Sequence, residues 1–209
     1  CQAWSIAGKQ QGDKDERGML FWTMLDIIGF AKSRNPGIKF LIENVKMKKE
    51  FEEYITKHTE AALGKVDKAS INSDLFACQN RPRYYWTNIY INELPIRPEW
   101  NTQFYQWRRT FFRENKSGVC PCLTANMGTG GHNVPLKSKD LGDKLTPIEV
   151  ERLQTVPDNY TNHVSNSQRY KMLGNGWTID VIAHIFKGLK EIRKKTDDNL
   201  IDNLLYFGM

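Results

Sequence analysis

The sequence lacks any apolar run approaching the ~20 residues that cross a membrane. Its first residues also lack the charged-then-apolar pattern of a secretory leader. These absences argue against a helical membrane protein and a secreted one. Cysteine is scarce: four occur in 209 residues, without the spacing of a disulfide framework, so reduced thiols in a cytosol or nucleus are expected. Cys120 and Cys122 form the one close pair, and no Cys/His cluster accompanies them to complete a zinc site. No metal is expected. Repeats and low-complexity tracts are missing too, which argues against a solenoid or a linker-dominated chain. There is no initiator methionine, and the expectation is a truncated, split or processed product.

What is present is an ordinary globular composition, 40% hydrophobic and 26% charged, with a net charge of +6. The length suits one good-sized domain with a small lobe. A cationic excess suits a polyanionic partner, although Lys46, Lys48, Lys49 and the run Arg193-Lys194-Lys195 fit solvated helix faces equally well.

Apolar residues at Leu20, Phe21, Met24, Leu25 and Ile28 predict an amphipathic helix over 19–30, broken by Asn35-Pro36-Gly37. A short buried strand is predicted over 38–42, ending at Glu43-Asn44-Val45. A helix over 47–63 should turn Phe51, Tyr54, Ile55 and Ala62 inward, and strands are predicted at 66–71 and 84–91. Strands alternating with helices predict an α/β sheet. Between 92 and 143 no clean period remains; aromatics, arginines and glycines read as a small irregular lobe inserted into the α/β domain. Thr146-Pro147-Ile148-Glu149 then carries the signature of a capping box with Pro at the first helical position. Ser165-Asn166-Ser167-Gln168 starts a second such helix, stopped at Gly174. A last helix over 178–194 packs Ile179, Ile182, Ile185, Phe186, Leu189 and Ile192.

Five groups of residues could carry chemistry. Cys1 opens a Gly- and Ser-rich loop ahead of a helix, a setting for an activated thiolate, although most cysteines are small buried hydrophobes. Glu43 follows a buried strand, at the edge where α/β proteins place ligands; a carboxylate favoured at a helix start is the other reading. Arg81 and Arg83 are two residues apart and would point the same way from an extended chain, as would two phosphate-contacting or solvated arginines. Gly174-Asn175-Gly176-Trp177 sits between helices, either as a close approach of backbone to a ligand or as an ordinary helix C-cap. The glycine loop over 123–131 suits either backbone approach to bases or a plain hairpin connection.

With their neighbours, these groups closely resemble the motifs of DNA cytosine-5 methyltransferases. Cys1-Gln2-Ala3-Trp4-Ser5-Ile6-Ala7-Gly8-Lys9-Gln10, followed by Asp15-Glu16-Arg17-Gly18, is similar to the family's nucleophile loop, in which a Pro precedes the Cys. Glu43-Asn44-Val45 resembles its Glu-Asn-Val, and Gln79-Asn80-Arg81-Pro82-Arg83 its Gln-x-Arg-x-Arg. Gly174-Asn175-Gly176 resembles the final Gly-Asn-Ser, with Gly176 in place of the Ser. The stretch from Leu145 through Glu149, Arg152 and Leu153 is similar to the helix that pins the inserted lobe to the core. Leu123-Thr124-Ala125-Asn126-Met127-Gly128-Thr129-Gly130-Gly131 looks like the family's second recognition loop.

The resemblance implies a partial Rossmann-like class I methyltransferase core, an α/β fold whose parallel sheet lacks its first strands, with a small inserted target-recognition lobe. Residues 1–91 would be core, 92–143 the recognition region, 144–195 the return to the core and 196–209 a tail. It implies S-adenosylmethionine-dependent methylation at carbon 5 of a flipped cytosine in duplex DNA, through a covalent Cys adduct. Cys1 would attack carbon 6. Glu43 would contact ring nitrogen 3 and the exocyclic amine, with burial raising its pKa. Arg83 would contact the base carbonyl and Glu43, and Arg81 would support that catalytic pocket. Leu20, Asn175, Gly176 and Trp177 would lie near the cofactor. Gln2, Ser5, Lys9 and Arg17, with Arg108, Arg109, Arg113, Asn126, Gly128, Thr129, Gly130 and Gly131, would face DNA. The family's methyl-donor loop lies upstream of the cysteine, so a missing amino-terminal segment or complementary subunit is a second expected partner. A cytoplasmic, prokaryotic or phage-encoded setting is expected, with no membrane. The rival readings are a catalytically silent DNA-binding subunit and an RNA cytosine-5 methyltransferase.

Overall fold

The computed structural model describes residues 3–4, 12, 15–108, 110–128, 134–140 and 142–189, and not the side chain of Arg17. Contacts divide them into two units. One holds Pro82–Asn92 with the described residues up to Ile71 and from His184; the other holds Asn72–Arg81 and Glu93–Ala183.

In the first unit, α1 (Glu16–Arg34) extends the predicted helix at both ends. Glu16 in its first turn and Lys32 and Arg34 in its last complement the helix dipole. Strand β1 (Leu41–Val45) takes in Glu43-Asn44-Val45, which the sequence pattern places at the strand's end. The strand buries Ile42 and Asn44 and leaves Leu41, Glu43 and Val45 half-buried, so its end is too polar to read by hydrophobicity. Helix α2 (Lys49–Leu63) buries Ile55, Thr59 and Leu63 at helical spacing. Ala62, expected inward, is exposed, one residue off that stripe.

Strands β2 (Asp67–Asn72) and β3 (Pro82–Thr87) complete a sheet of order β1–β3–β2. Against the parallel sheet expected, β3 runs antiparallel to β1, with Leu41 opposite Thr87 and Val45 opposite Arg83. The link from β2 to β3 is only residues 73–81, shorter than the helical crossover that a parallel neighbour needs. Phe21, Leu25, Phe40, Ile42, Ile55, Leu63 and Trp86 form the core of this unit. Trp86 is fully buried, and its indole N–H donates to the Thr56 hydroxyl at 2.8 Å.

The second unit contains regular structure where the sequence shows no period. Strands β4 (Phe104–Trp107), β5 (Phe112–Asn115) and β6 (Pro135–Leu136) form an antiparallel sheet of order β5–β4–β6. Strands of two to four residues are too short to establish an alternation. Helix α3 (Pro147–Leu153) has the predicted capping box: the Thr146 hydroxyl accepts from Glu149 N–H, and the Glu149 carboxylate accepts from Thr146 N–H. Helix α4 (Asn166–Asn175) follows Ser165, whose side chain, against expectation, makes no capping bond. Phe104, Leu123, Leu136, Leu145, Val150 and Leu173 are the core of this unit. Residues 179–189 are helical, 179–183 belonging to the second unit and 184–189 to the first, with Ile182 and Ile185 buried but Ile179 and Phe186 exposed rather than inward. No helix among the described residues is long and apolar enough to cross a membrane.

Candidate active site

The antiparallel register of β1 and β3 brings one pair of expected site residues together. Glu43 lies opposite Tyr85, and Arg83 lies opposite Val45. All four share the sheet face opposite Ile42, Tyr84 and Trp86. Glu43 and Arg83 are therefore diagonal cross-strand neighbours, within reach of long side chains. Arg83 Nε donates to Glu43 Oε1 at 2.9 Å, and the two side chains keep 13% and 20% of their exposure. A second guanidinium nitrogen of Arg83 donates to the Pro82 carbonyl at 2.9 Å, holding the fork in place. The pair is sheltered yet still open to a ligand.

Next to the expected nucleophile Cys1 stands a buried residue to which the motif assigned no role. Trp4 is buried in the first unit, stacked on Tyr54 at 5.9 Å and edge-on to Phe21 and Phe51 at 6.0 and 5.4 Å. Ala3 C=O accepts from Gly12 N–H at 3.1 Å. Cys1, Gln2, Ser5 and Lys9 themselves lie outside the described residues.

Arg81 stands in the second unit, buried to 5% exposure. Its guanidinium donates to the carbonyls of Leu123 (3.0 Å), Gly174 (3.2 Å) and Gly176 (2.8 Å). Around it runs a buried amide network. Gln79 donates to Leu153 C=O and the Gln154 side chain and accepts from Leu123 N–H. Gln154 donates to the carbonyls of Leu173 and Gly176 and accepts from the Thr178 hydroxyl, which also bonds Ser73. Gln79 was legible as the first letter of its motif; Gln154, Thr178 and Ser73 carried no signal beyond polar residue type.

The residues expected near a cofactor are spread over both units. Leu20 is 65% exposed on α1 in the first. Asn175, Gly176 and Trp177 lie in the second, with Asn175 exposed at the end of α4. Gly176 and Trp177 border a cavity of about 160 Å³ whose lining includes no carboxylate. Pockets for molecules of cofactor size run from about 300 Å³ upward, and ribose hydroxyls are usually held by an acidic side chain. The described residues of this cavity therefore do not fit S-adenosylmethionine by themselves.

Of the residues expected to face DNA, Arg113 is exposed on β5. Arg108 is half-buried, its N–H donating to Phe111 C=O across the β4–β5 turn. Asn126 is exposed, and Gly128 packs so close to Tyr170 that a Cβ would meet its ring at 2.6 Å. Arg109, Thr129, Gly130 and Gly131, with the side chain of Arg17, lie outside the described residues. Burial pushes the Cys120 thiol well above its ordinary range, with Cys78 and Cys122 nearby adding to the rise, and a thiol so placed is inert. Among the described residues no group of three or more His, Cys, Asp or Glu could hold a metal ion.

The family model of the C-5 cytosine-specific DNA methylases matches residues 1–89 and 48–191. The chain is 42% identical over 112 residues to the Type II methyltransferase M.Bsp6I of Bacillus sp. (strain RFL6), covering 51% of this chain and 36% of that protein. It is 27% identical over 243 residues to the Type II methyltransferase M1.ScrFI of Lactococcus lactis subsp. cremoris, covering 94% and 61%. The chain thus spans between about a third and three fifths of these relatives' lengths. Its fold is similar to that of the S. pombe Dnmt2 methyltransferase, with a TM-score of 0.54 at 16% identity over 87% of this chain and 76% of that one.

Proposed function

We propose that this chain, which belongs to the C-5 cytosine-specific DNA methylase family, supplies the cytosine-activating part of an S-adenosylmethionine-dependent DNA (cytosine-5-)-methyltransferase of the Type II, restriction-modification kind. The observation that carries the reading is the Arg83–Glu43 pair, held at 2.9 Å on one face of the β1–β3 ladder. It offers a fixed carboxyl and a fixed guanidinium side by side, which suits the nitrogen 3 and carbonyl edge of a flipped cytosine.

Carbon 5 of cytosine is a poor nucleophile. Bonding of the Cys1 thiolate to carbon 6 pushes the ring's π pair toward carbon 5 and leaves charge spread over nitrogen 3 and the carbonyl oxygen. Glu43, carrying a proton to nitrogen 3, absorbs the first share; Arg83, donating to the oxygen, stabilises the second. Once carbon 5 has accepted its methyl group, loss of the carbon-5 proton to a base re-forms the double bond and expels the Cys1 sulfur as thiolate, while nitrogen 3 returns its proton to Glu43. The arginines and glycines of the recognition region contact phosphates and base edges of duplex DNA. The donor, S-adenosylmethionine, is held chiefly by a further segment or subunit, for which the relatives' greater length leaves room.

The test is covalent trapping on duplex DNA containing 5-fluorocytosine, with S-adenosylmethionine, for the chain alone and with the amino-terminal part of a relative. Fluorine at carbon 5 blocks the final elimination, so a working nucleophile stays attached. A denaturant-resistant adduct, lost in Cys1→Ala, is the expected result. DNA binding without any adduct in either arm points to the silent subunit, and an adduct formed on structured RNA but not on duplex DNA points to the RNA enzyme.

A further inference from the structure

Arg81 sits where three backbone segments meet. One guanidinium nitrogen donates to Leu123 C=O at 3.0 Å and lies 3.5 Å from Cys122 Sγ. The other donates to Gly174 C=O and Gly176 C=O at 3.2 and 2.8 Å. The last carbonyls of a helix have no partner within it, and they attract a cation; here the helix is α4, ending at Asn175. Asn175 is the residue between the two clamped carbonyls, so Arg81 fixes the turn that presents its exposed side chain. The same guanidinium holds the start of the loop over 123–128, whose Asn126 is also exposed. Gln79 grips that loop from the other side, accepting from Leu123 N–H at 3.3 Å.

The two segments also touch backbone to backbone. A Cβ on Gly174 would meet the carbonyl carbon and oxygen of Thr124 at 2.3 and 2.4 Å and Ala125 N at 2.5 Å. Only a residue without a side chain allows that approach. Burying a guanidinium is costly unless its donors are satisfied, and the planar fork satisfies three carbonyls at once, which a lysine ammonium on a flexible stem does not reproduce.

We propose that Arg81 is a positioning residue that locks the loop over 123–128 and the turn over 174–176 into one block, so that duplex DNA gripping the loop also orders Asn175. The transmission to Asn175 rests on the DNA reading above; the lock itself does not.

Amide hydrogen exchange on the full chain separates the two. In Arg81→Lys without DNA, exchange at 123–128 and at 174–178 rises together by at least about tenfold, while α2 is unchanged. Loosening of one segment alone, or of neither, overturns the lock. Gly174→Ala, which wedges the same joint from its other side, gives the same joint loosening if Arg81→Lys does not fold. With duplex DNA, the wild-type chain gains protection in both segments and Arg81→Lys only at 123–128. Protection confined to 123–128 in the wild type overturns the transmission and leaves DNA binding standing. No DNA-induced change anywhere overturns the transmission together with the DNA reading, while the DNA-free comparison still decides the lock.

Discussion

Arg83 reaches Glu43 diagonally across two antiparallel strands, Nε to Oε1 at 2.9 Å, and neither residue is the other's direct partner in the ladder. The contact exists because β3 is reversed relative to β1; in a parallel pairing of the same segments this register would not arise. It makes the carboxyl of Glu43 and the guanidinium of Arg83 a single unit, and their substitutions should behave as one. Glu43→Gln and Arg83→Ala are each expected to lower the rate of covalent trapping on 5-fluorocytosine DNA by about 10²–10⁴-fold. The double variant should lose little more than the worse single one. Full additivity would show that the two act independently.

The isolated chain should bind S-adenosylmethionine weakly or not at all. Titration calorimetry is expected to give no saturable heat, because the cavity beside Trp177 is about 160 Å³ and has no acidic residue among the described residues of its lining. Saturable binding near micromolar affinity would place a complete donor site within these residues.

Glu151 is fully buried and accepts from the Arg169 guanidinium, from the hydroxyl and N–H of Thr161, and from Asn159 N–H. Burial alone would raise its pKa, but those hydrogen bonds outweigh it and hold the carboxyl below the ordinary value of 4.5. A depressed folded-state pKa contributes stability that is present above the unfolded value and lost as pH falls through the folded one. Denaturant midpoints should therefore drop on acidification below about pH 4.5, less steeply in Glu151→Gln. Arg169→Met, which strands the buried carboxylate, is expected to cost ~3–5 kcal/mol at neutral pH. An unchanged midpoint in that variant would contradict the pairing.

Trp4, three residues from the proposed nucleophile Cys1, fills an aromatic cage of Phe21, Phe51 and Tyr54. Trp4→Ala should destabilise the fold by ~3–5 kcal/mol, read by urea denaturation. Covalent trapping should fall even under conditions where the variant is folded. Trp4→Phe should recover most of both.

Arg113 is exposed and free to meet a phosphate. If it does, Arg113→Ala reduces the slope of log K against log salt by about 0.9 and weakens all duplex sequences alike. A selective loss for one sequence would instead make it a reader of guanine.

Much of this was legible from the residues. The helices α1 and α2 follow from apolar spacing, and the capping box of α3 follows from four consecutive letters, because both depend on contacts within one or two turns of chain. The chemistry-bearing groups stood out through the resemblance of their short motifs to the family's; as local patterns alone they fitted solvated arginines and an ordinary helix C-cap equally well. Strands β4 to β6 were not legible, since their stability comes from partners and a core assembled from distant residues rather than from any period of their own. The end of β1 was misplaced because a half-polar strand edge looks like a loop until its neighbour is known.

Arg81 and Arg83 mark the boundary between the two kinds of knowledge. The sequence by itself determined that two arginines, a glutamate and a glycine-flanked asparagine occur in the family's order. Spacing and residue type could not assign the arginines different tasks, since they are chemically identical and stand two residues apart; only the resemblance of their motif set Arg83 beside Glu43 and gave Arg81 a supporting place. Tertiary structure decided that: strand register delivers Arg83 to Glu43, while the return of residues 123 and 174–176 surrounds Arg81 with carbonyls. Side-chain chemistry is carried by each residue, but the partner that directs it comes from chain-distant segments that meet only when the fold closes.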